Sequence, residues 1–329
     1  MRQDPKNRRL DRRSREMLVQ RIRLVRKFIK PPVLLATRDP SVLAAVTICL
    51  IMPQVSSAGE PGSSATAERP NPFFAFCMDT HDSEKRTLAE QAELLAELGY
   101  DGAGHLWLDN VDRRLQTLDA HELRLFQIYL RVSIAPDNPP YDPRLRETLP
   151  LLKDQDVMLA LLMTGLPPSD LAGDDRAVQI VRQIADMAAE HSVRVALYPH
   201  SGDWLERVED ANRIVRKVDR PNVGVMFNLC HWLKVDNEEN LRPLLVSVMP
   251  HLFAVSINGT DRAAEIRAGT GNWLQPLDSG SFDVGAFLET LRELGYRGPV
   301  GLQCYGIKGD ARDHLTRSMA AWRKFSQRP

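Results

Sequence analysis

The sequence predicts an α/β fold of the (β/α)8 TIM barrel type, and three observations lead to this expectation. From residue 72 onward, the chain alternates short apolar runs with amphipathic segments eight times. The runs are continuously apolar, which is typical of parallel strands that are covered on both faces. The alternating part spans about 255 residues, close to the roughly 250 that one (β/α)8 barrel uses.

Each repeat begins with an apolar run of strand length. The eight predicted strands cover residues 73–79, 101–108, 123–133, 157–164, 193–198, 222–228, 251–258 and 299–305. Each run is followed by apolar residues at helical spacing. The eight predicted helices cover residues 88–98, 111–120, 144–153, 175–191, 204–218, 237–248, 284–294 and 310–325. Gly99 and Gly295 follow two of these helices and are typical C-terminal caps.

The pattern within the late strands favours a closed barrel over a doubly wound open sheet, which is the alternative architecture. We expect four strand-end residues to point into the barrel: Tyr198, Asn228, Asn258 and Gln303. Residues two positions earlier then point inward as well, and most of them are small or polar. The intervening residues are large and apolar, as expected beneath helices: Leu197, Phe227, Ile257 and Leu302.

The N-terminal part of the chain predicts an export signal over residues 1–58, followed by a Gly/Pro/Ser-rich linker over 59–71 and a single barrel domain over 72–329. A basic leader precedes an apolar run at 41–52, and Ser56 and Ala58 provide the small residues of a cleavage site. The run is shorter than the roughly 20 residues of a membrane helix. We therefore expect a periplasmic or extracellular protein without a stable membrane span in the mature chain; an uncleaved anchor is the alternative.

Charge and cysteine content limit the classes of function. Residues 1–58 hold 13 basic and 4 acidic side chains, and the remainder holds 30 basic and 39 acidic ones. This acidic remainder argues against nucleic acid, which requires a basic surface, and suits a small-molecule ligand. Beyond the signal, Cys77, Cys230 and Cys304 have no metal-ligand spacing, and we expect buried free thiols.

Polar side chains at the predicted strand ends indicate an active site, because barrels of this type build their sites there. His200 and His231 follow strands five and six, and an imidazole can remove a proton next to a carbonyl group. Amide and phenol groups donate and accept hydrogen bonds, as sugar hydroxyls require. The predicted substrate-binding residues are Tyr198, Asn228, Asn258, Gln303, His105, Trp107, Tyr129 and Asp261. Of these, Tyr198, Asn228, Asn258 and Gln303 carry no formal charge, and they predict a neutral, hydrogen-bonding cup.

Five segments in order resemble the xylose isomerase-like barrels over about residues 72–325. They are ELGYDG at 97–102, LYPH at 197–200, FNLCH at 227–231, SINGTD at 256–261 and LQCYG at 302–306. That family includes sugar isomerases, ketose 3-epimerases, inosose-processing enzymes and relatives of endonuclease IV. The resemblance implies a (β/α)8 fold and an isomerase or epimerase activity.

The chain departs from this family at the position of its metal ion. In the metal-dependent members, strand-end Glu, Asp, His and Glu residues hold one divalent cation. The corresponding residues here are Tyr198, Asn228, Asn258 and Gln303. A divalent cation needs anionic oxygens or imidazoles to replace its hydration. We therefore expect no metal at this position and no other cofactor, with His200 and His231 left as candidates for a different, weaker metal site.

The resemblance and the strand-end residues together lead to a functional hypothesis. We expect an isomerase-like or epimerase-like enzyme that transfers a proton next to a carbonyl of a sugar or sugar derivative. His200 or His231 would be the base, and the neutral polar groups would polarise the substrate oxygens. Two alternatives remain at this point: a lyase that acts on 3-keto-glycosides, and a non-catalytic carbohydrate-binding barrel.

Overall fold

The computed structural model describes residues 71–327 of the chain. The predicted export signal, and the predicted linker except for its last residue, lie outside the described residues.

Eight parallel strands close into one barrel in chain order, and the last strand is hydrogen-bonded to the first. The strands are β1 (Phe73–Phe76), β2 (Gly102–Leu106), β3 (Arg124–Ser133), β4 (Met158–Thr164), β5 (Arg194–Leu197), β6 (Val223–Asn228), β7 (Leu252–Ile257) and β8 (Val300–Gln303). The predicted (β/α)8 barrel is confirmed, and the alternative of an open sheet is wrong.

Within residues 71–327, ten α-helices surround the strands or lie in the loops that follow them. They are α1 (Leu88–Leu98), α2 (Val111–Asp119), α3 (Leu145–Thr148), α4 (Asp174–Ala189), α5 (Val208–Val218), α6 (Leu229–Val235), α7 (Leu241–Val248), α8 (Ala263–Arg267), α9 (Val284–Glu293) and α10 (Ala311–Ser326). Short 3-10 turns extend α3 and precede α4, α7 and β7. Within residues 71–327, none of the helices is long and apolar enough to cross a membrane.

The helices differ from the prediction in three places. Residues 204–207 were expected to be helical, but α5 begins only at Val208. Two helices were not expected, namely α6 directly after β6 and α8 in the long loop after β7. These two have seven and five residues, too few for an apolar period to stand out in a sequence.

The core has two layers that follow the alternation of the strands. Leu197, Phe227, Ile257 and Leu302 belong to the outer layer between strands and helices. Ala196, Tyr198 and Met226 belong to the inner layer, together with Phe74, Phe76, Phe126, Tyr129, Met158, Ala160 and Ala254. The inward positions predicted for Ala196, Tyr198 and Met226 and the four outward positions are therefore confirmed. The expected free, buried cysteines are found at Cys77, Cys230 and Cys304.

One glycine allows the inner layer to pack closely. Gly104 of β2 faces the barrel interior, where an added Cβ atom would lie 2.7 Å from Cβ of Phe76 and 3.1 Å from Cγ of Gln127. Only a residue without a side chain fits between these two neighbours. Gly104 therefore gives Gln127 its place on the inner face of β3.

Candidate active site

A buried cluster of Tyr198, Asn228 and Gln303 forms the centre of the candidate site. The three side chains are at most 5% exposed and come from the ends of β5, β6 and β8. Asn228 donates a hydrogen bond from Nδ2 to the phenol oxygen of Tyr198. Gln303 donates from Nε2 to the same oxygen over 3.4 Å. The alternation of the strands thus brings together three of the four side chains that align with the family's metal position.

Neighbouring donors fix the direction of both amides. The backbone N–H of Tyr305 donates to Oε1 of Gln303 over 3.0 Å, so the NH2 group of that amide must face Tyr198. The thiol of Cys230 donates to Oδ1 of Asn228 over 3.1 Å. Burial raises the pKa of Cys230 to about 12, which keeps the thiol protonated as this donor requires. Two amide N–H groups therefore converge on one phenol oxygen.

This polarity is the opposite of what a divalent cation needs. A cation would require lone pairs of oxygen or nitrogen at the centre, and here Asn228 and Gln303 direct N–H groups to it. None of the aligned side chains carries a negative charge. Within residues 71–327, no three His, Cys, Asp or Glu side chains lie close enough together to hold a metal ion. The residues at the aligned position therefore do not fit the family's metal.

Tyr198 is a neutral hydrogen-bonding group at the bottom of the site. Burial, followed by the nearby Cys230, raises its pKa well above the ordinary value, so the phenol keeps its proton at neutral pH. Its oxygen accepts hydrogen bonds from two amides, which leaves the O–H proton free to point elsewhere. Tyr129, another predicted binding residue, packs edge-to-face against Tyr198 with ring centroids 5.0 Å apart.

Two histidines lie next to this cluster at the C-terminal ends of the strands. The ring centroids of His200 and His231 are 3.9 Å apart, and the ring of His231 lies 6.2 Å from that of Tyr198. Burial lowers the pKa of both histidines, and for His231 it does so strongly. Both rings are therefore neutral at pH 7, and the two residues predicted as catalytic come together.

The hydrogen bonds of His231 determine its tautomer. The backbone N–H of Ser201 donates to Nδ1 of His231 over 3.3 Å, and the hydroxyl oxygen of Ser201 lies 3.0 Å from the same nitrogen. A backbone N–H can only donate, so Nδ1 carries the lone pair and Nε2 carries the proton. His231 is thus set to donate a hydrogen bond from Nε2.

His200 has the opposite environment. Its Nδ1 lies 3.5 Å from a carboxylate oxygen of Asp203, three residues further along the loop after β5. Among the described residues Nδ1 has no hydrogen-bond partner, but the nearby carboxylate favours the tautomer with a proton there, which leaves the lone pair on Nε2. Burial raises the pKa of Asp203, while His200 and Arg131 lower it. Asp203 is thus close enough to influence the tautomer and charge of His200, although the two side chains form no hydrogen bond.

Two cations that the sequence did not indicate stand beside the histidines. Nζ of Lys234 lies 3.1 Å from the centroid of the Trp273 ring, and the guanidinium of Arg131 lies 4.6 Å from the centroid of the Trp107 ring. Both cations lower the pKa of His200, after the larger effect of burial. The floor of the site is therefore neutral, and its rim is positively charged.

The loop after β7 is held by two predicted binding residues. Asn258 is fully buried and donates from Nδ2 to the carbonyl oxygens of Gly259 and Trp273, over 2.7 and 2.9 Å. Asp261 accepts backbone N–H groups of Asn272 and Ser281 over 2.8 and 2.9 Å. These bonds position the loop that carries Trp273, whose ring lies 5.6 Å from that of His231.

The remaining predicted residues lie at two different places. Trp107 packs against the inner layer at the rim of the barrel. His105 instead contacts the chain around α2, with Nε2 2.7 Å from the carbonyl oxygen of Asp109 and Nδ1 3.4 Å from Nε of Arg114. The structure thus brings Trp107 to the site, and it gives His105 partners outside the barrel interior.

Further polar atoms of the inner face have no hydrogen-bond partner among the described residues. They are the phenol oxygen of Tyr129, both polar atoms of the Gln127 side chain, Oγ of Ser256 and Oδ1 of Asn258. All four side chains are buried. Buried polar atoms are nearly always hydrogen-bonded, so these are the atoms that ligand hydroxyls or water can satisfy.

Four residues of the site were not identified from the sequence: Arg131, Ser201, Asp203 and Lys234. Arg131 is a charged residue in an apolar strand, two positions after the inward-facing Tyr129. Residues two positions apart on a strand face the same side, so the sequence could have indicated that Arg131 faces the interior. Lys234 follows His231 by three residues, but this spacing is informative only once α6 is known to be a helix.

The profile of a known family, described as "Xylose isomerase-like TIM barrel", matches residues 92–325. A 3-dehydroshikimate dehydratase from Pseudomonas aeruginosa is 24% identical over 67% of this chain and 36% of its own length. A ketose 3-epimerase from Arthrobacter globiformis is 23% identical over 51% of this chain and 54% of its own. The chain thus spans about a third and about half of these two relatives.

The fold also occurs in solved structures. A D-psicose 3-epimerase from Clostridium cellulolyticum H10, solved with D-tagatose, superposes with a TM-score of 0.59 at 15% identity. The match covers 77% of this chain and 98% of the other. At this identity the likeness concerns the fold alone.

Proposed function

Because the chain belongs to the xylose isomerase-like TIM barrel family, we propose that it is an enzyme that transfers a proton at a carbon next to a carbonyl group of a sugar or sugar derivative. The names of two relatives support this class of substrate, since a ketose and 3-dehydroshikimate are both hydroxylated ketones. The observation that carries the proposal is the pair of neutral histidines 3.9 Å apart beside the Tyr198 cluster.

In this proposal His200 is the base. Its pKa is lowered by burial, so the ring is neutral at pH 7 and can accept a proton. Asp203 lies 3.5 Å from Nδ1 and would stabilise the imidazolium that forms when Nε2 takes the proton from carbon. Asp203 acts here as a positioning residue, because it acts through His200.

His231 and Tyr198 would stabilise the negative charge that develops on the carbonyl oxygen. His231 has its proton on Nε2, and Tyr198 has an O–H group whose oxygen already accepts two N–H donors. Fixed donors in a buried site stabilise an oxyanion without needing to reorganise. We propose that these donors replace the divalent cation of the family, and that the reaction needs no metal.

Elimination is the second candidate function. Loss of a group from the carbon next to the enolate needs an acid close to the base, and the Nε2 proton of His231 can meet this need. The similarity to a dehydratase favours this candidate. Epimerisation and elimination share the first proton transfer and differ in the next step, in which the enolate carbon is reprotonated or the group on the neighbouring carbon leaves with a proton.

The test follows the exchange of the substrate proton in D2O by NMR, with a ketohexose, a ketohexuronate and 3-dehydroshikimate as probes. We expect deuterium to enter next to the carbonyl, and His200→Gln to slow this exchange by about 10²- to 10⁴-fold. The exposed His121 is the matched control, and His121→Gln should have no effect. The products distinguish an epimer from an eliminated group.

A chelator provides the second arm of the test. Exchange should continue unchanged in EDTA. Loss of exchange on chelation, with recovery on addition of Mn²⁺, would contradict the metal-free mechanism. Absence of exchange with every probe would contradict the proposed reaction.

A further inference from the structure

Two cations lie at the rim of the barrel, each on the face of an aromatic ring. Lys234 rests on the ring of Trp273, and Arg131 rests on the ring of Trp107. Among the described residues, neither forms an ion pair of 4.0 Å or less with a carboxylate, although Arg131 is near enough to Asp203 to lower the pKa of that carboxyl group. Arg213, by comparison, binds Asp174 and Asp210 over 2.9 and 2.6 Å.

Both cations belong to the same space as the histidines. Arg131 lies two residues after Tyr129 on β3, so the two side chains are on the same, inward face of the strand. Its partner in the register with β4 is Leu162, which packs against the inner layer. Lys234 is one helical turn after His231 on α6. The aromatic rings beneath them, Trp107 and Trp273, hold both head groups at the rim.

The environment of Lys234 is costly for a cation that has only an aromatic face as a partner. Burial lowers its pKa, because removal from water disfavours the charged form. A cation–π contact returns about 0.5 to 2 kcal/mol, less than a charge-assisted hydrogen bond can add. An anionic group of a ligand that reaches these cations would supply such bonds.

We propose that Lys234 and Arg131 form an anion subsite at the rim of the barrel, and that the substrate is a hydroxylated ketone that carries a carboxylate. This inference rests on the proposed function, because it assigns the substrate class of the same site. A phosphate group offers the same anionic oxygens, and the test below separates these two sources. The neutral floor then binds the hydroxyl and carbonyl groups, and the charged rim binds the acid.

The subsite also links substrate binding to the strength of the base. Both Lys234 and Arg131 lower the pKa of His200. A bound anion offsets their positive charge, so His200 becomes more basic when an acidic substrate is present. A neutral sugar cannot cause this change, and it would meet a weaker base.

The experiment measures binding of three compounds that differ only at carbon 6, namely D-fructose, D-fructose 6-phosphate and D-fructuronate, by calorimetry. We expect D-fructuronate to bind the wild-type protein about tenfold more tightly than D-fructose. In Lys234→Met and in Arg131→Gln this ratio should fall below about threefold. Lys153→Met and Arg216→Gln, at exposed residues near the opposite ends of the strands, are controls and should keep the full ratio.

Each outcome decides a separate point. Preference for D-fructose 6-phosphate over D-fructuronate would support the subsite and assign it to phosphate. Equal or undetectable binding of all three compounds, or an anion preference that survives in the double variant, would contradict the subsite. If the protein prefers the anionic compounds but exchanges no proton in D2O, the subsite is supported and the proposed reaction is contradicted. If it exchanges a proton but shows no preference for the anionic compounds, the reaction is supported and the subsite is contradicted.

Discussion

His200 and His231 are residues of one type with rings 3.9 Å apart, and their neighbours prepare them for different roles. The backbone N–H of Ser201 requires a lone pair on Nδ1 of His231, whereas the carboxylate of Asp203 favours a proton on Nδ1 of His200. The free nitrogen is therefore a donor in His231 and an acceptor in His200. A site with one donor and one acceptor can polarise a carbonyl and remove the neighbouring proton.

The charges around His200 lead to a prediction about the pH dependence of kcat/KM. The base must be neutral, and its pKa is lowered, so we expect activity to be constant near pH 7 and to fall as pH drops below the pKa of His200. Lys234→Met removes a cation and should move this fall to higher pH. Asp203→Asn removes an anion, so it should move the fall to lower pH and reduce kcat by about tenfold or more.

The acidic limb of the kcat/KM profile should move in opposite directions in Lys234→Met and Asp203→Asn, and this contrast is the control. A change in folding or in active fraction would scale the whole profile and leave its midpoint in place, as we expect for Lys153→Met. Arg131 also lowers the pKa of His200, and His231 stays neutral because burial lowers its own pKa strongly. Shifts of the same sign in Lys234→Met and Asp203→Asn would show that His200 does not cause the acidic limb.

The sequence predicted the floor of the site better than its rim. Side chains alternate between the two faces of a strand, so the last inward residue of every strand faces the same interior. This rule was enough to predict that three floor residues come together: Tyr198, Asn228 and Gln303. Arg131 and Lys234 come from β3 and from a helix after β6, and their shared influence on His200 depends on the closed barrel. His105 was predicted as a binding residue from its strand alone, although its partners are Asp109 and Arg114.

At the scale of elements, the predicted strands and the long helices share a strong local signal. Helix α1 was expected over 88–98 with Gly99 as its cap, and both features are confirmed, since Gly99 has a φ of 84°. Helix α6 was not expected because its seven residues continue the apolar run of β6 without a break in composition. This short helix nevertheless positions His231 and Lys234, so the elements hardest to predict are those that carry the chemistry.

The N-terminus of α1 gives a prediction at this scale. The hydroxyl of Thr87 accepts the backbone N–H of Glu90 over 3.4 Å, and the carboxylate of Glu90 accepts the backbone N–H of Thr87 over 2.7 Å. Thr87→Ala removes the first of these bonds, and we expect the free energy of unfolding to fall by about 1 kcal/mol. The measurement is urea unfolding. Thr290→Ala, inside α9, removes only a hydroxyl that bonds to the carbonyl of Ala286, and it should have a smaller effect.

At the scale of the whole molecule, two kinds of buried titratable group control the response to acid, each in its own pH range. Hydrogen bonds and ion pairs give Asp82, Asp174 and Asp236 a pKa below 3.8, although burial alone would raise it. Their contribution to stability is present at neutral pH and is lost only when pH falls below about 4. Between pH 6.5 and about 4, the buried histidines dominate.

His314 of α10 is the clearest case. Its side chain is 4% exposed, and burial lowers its pKa to about 4, against the influence of Asp82, Asp310 and Asp313. The unfolded state, with a pKa of about 6.5, then binds more protons below that pH, so stability must fall as pH drops.

This difference in proton binding between the unfolded and folded states predicts how much stability the barrel loses in acid because of His314. The shift in pKa corresponds to a loss of about 2 to 3 kcal/mol between pH 7 and pH 4.5. Glutamine cannot be protonated in this range. Between pH 7 and pH 4.5 the free energy of unfolding of His314→Gln should therefore fall by about 2 to 3 kcal/mol less than that of the wild type, whatever the stability of the variant at pH 7. Urea unfolding from pH 7 to 4.5 measures the slope, and the exposed His121→Gln should retain the wild-type slope. An unchanged slope in His314→Gln would mean that this histidine is protonated within the folded barrel.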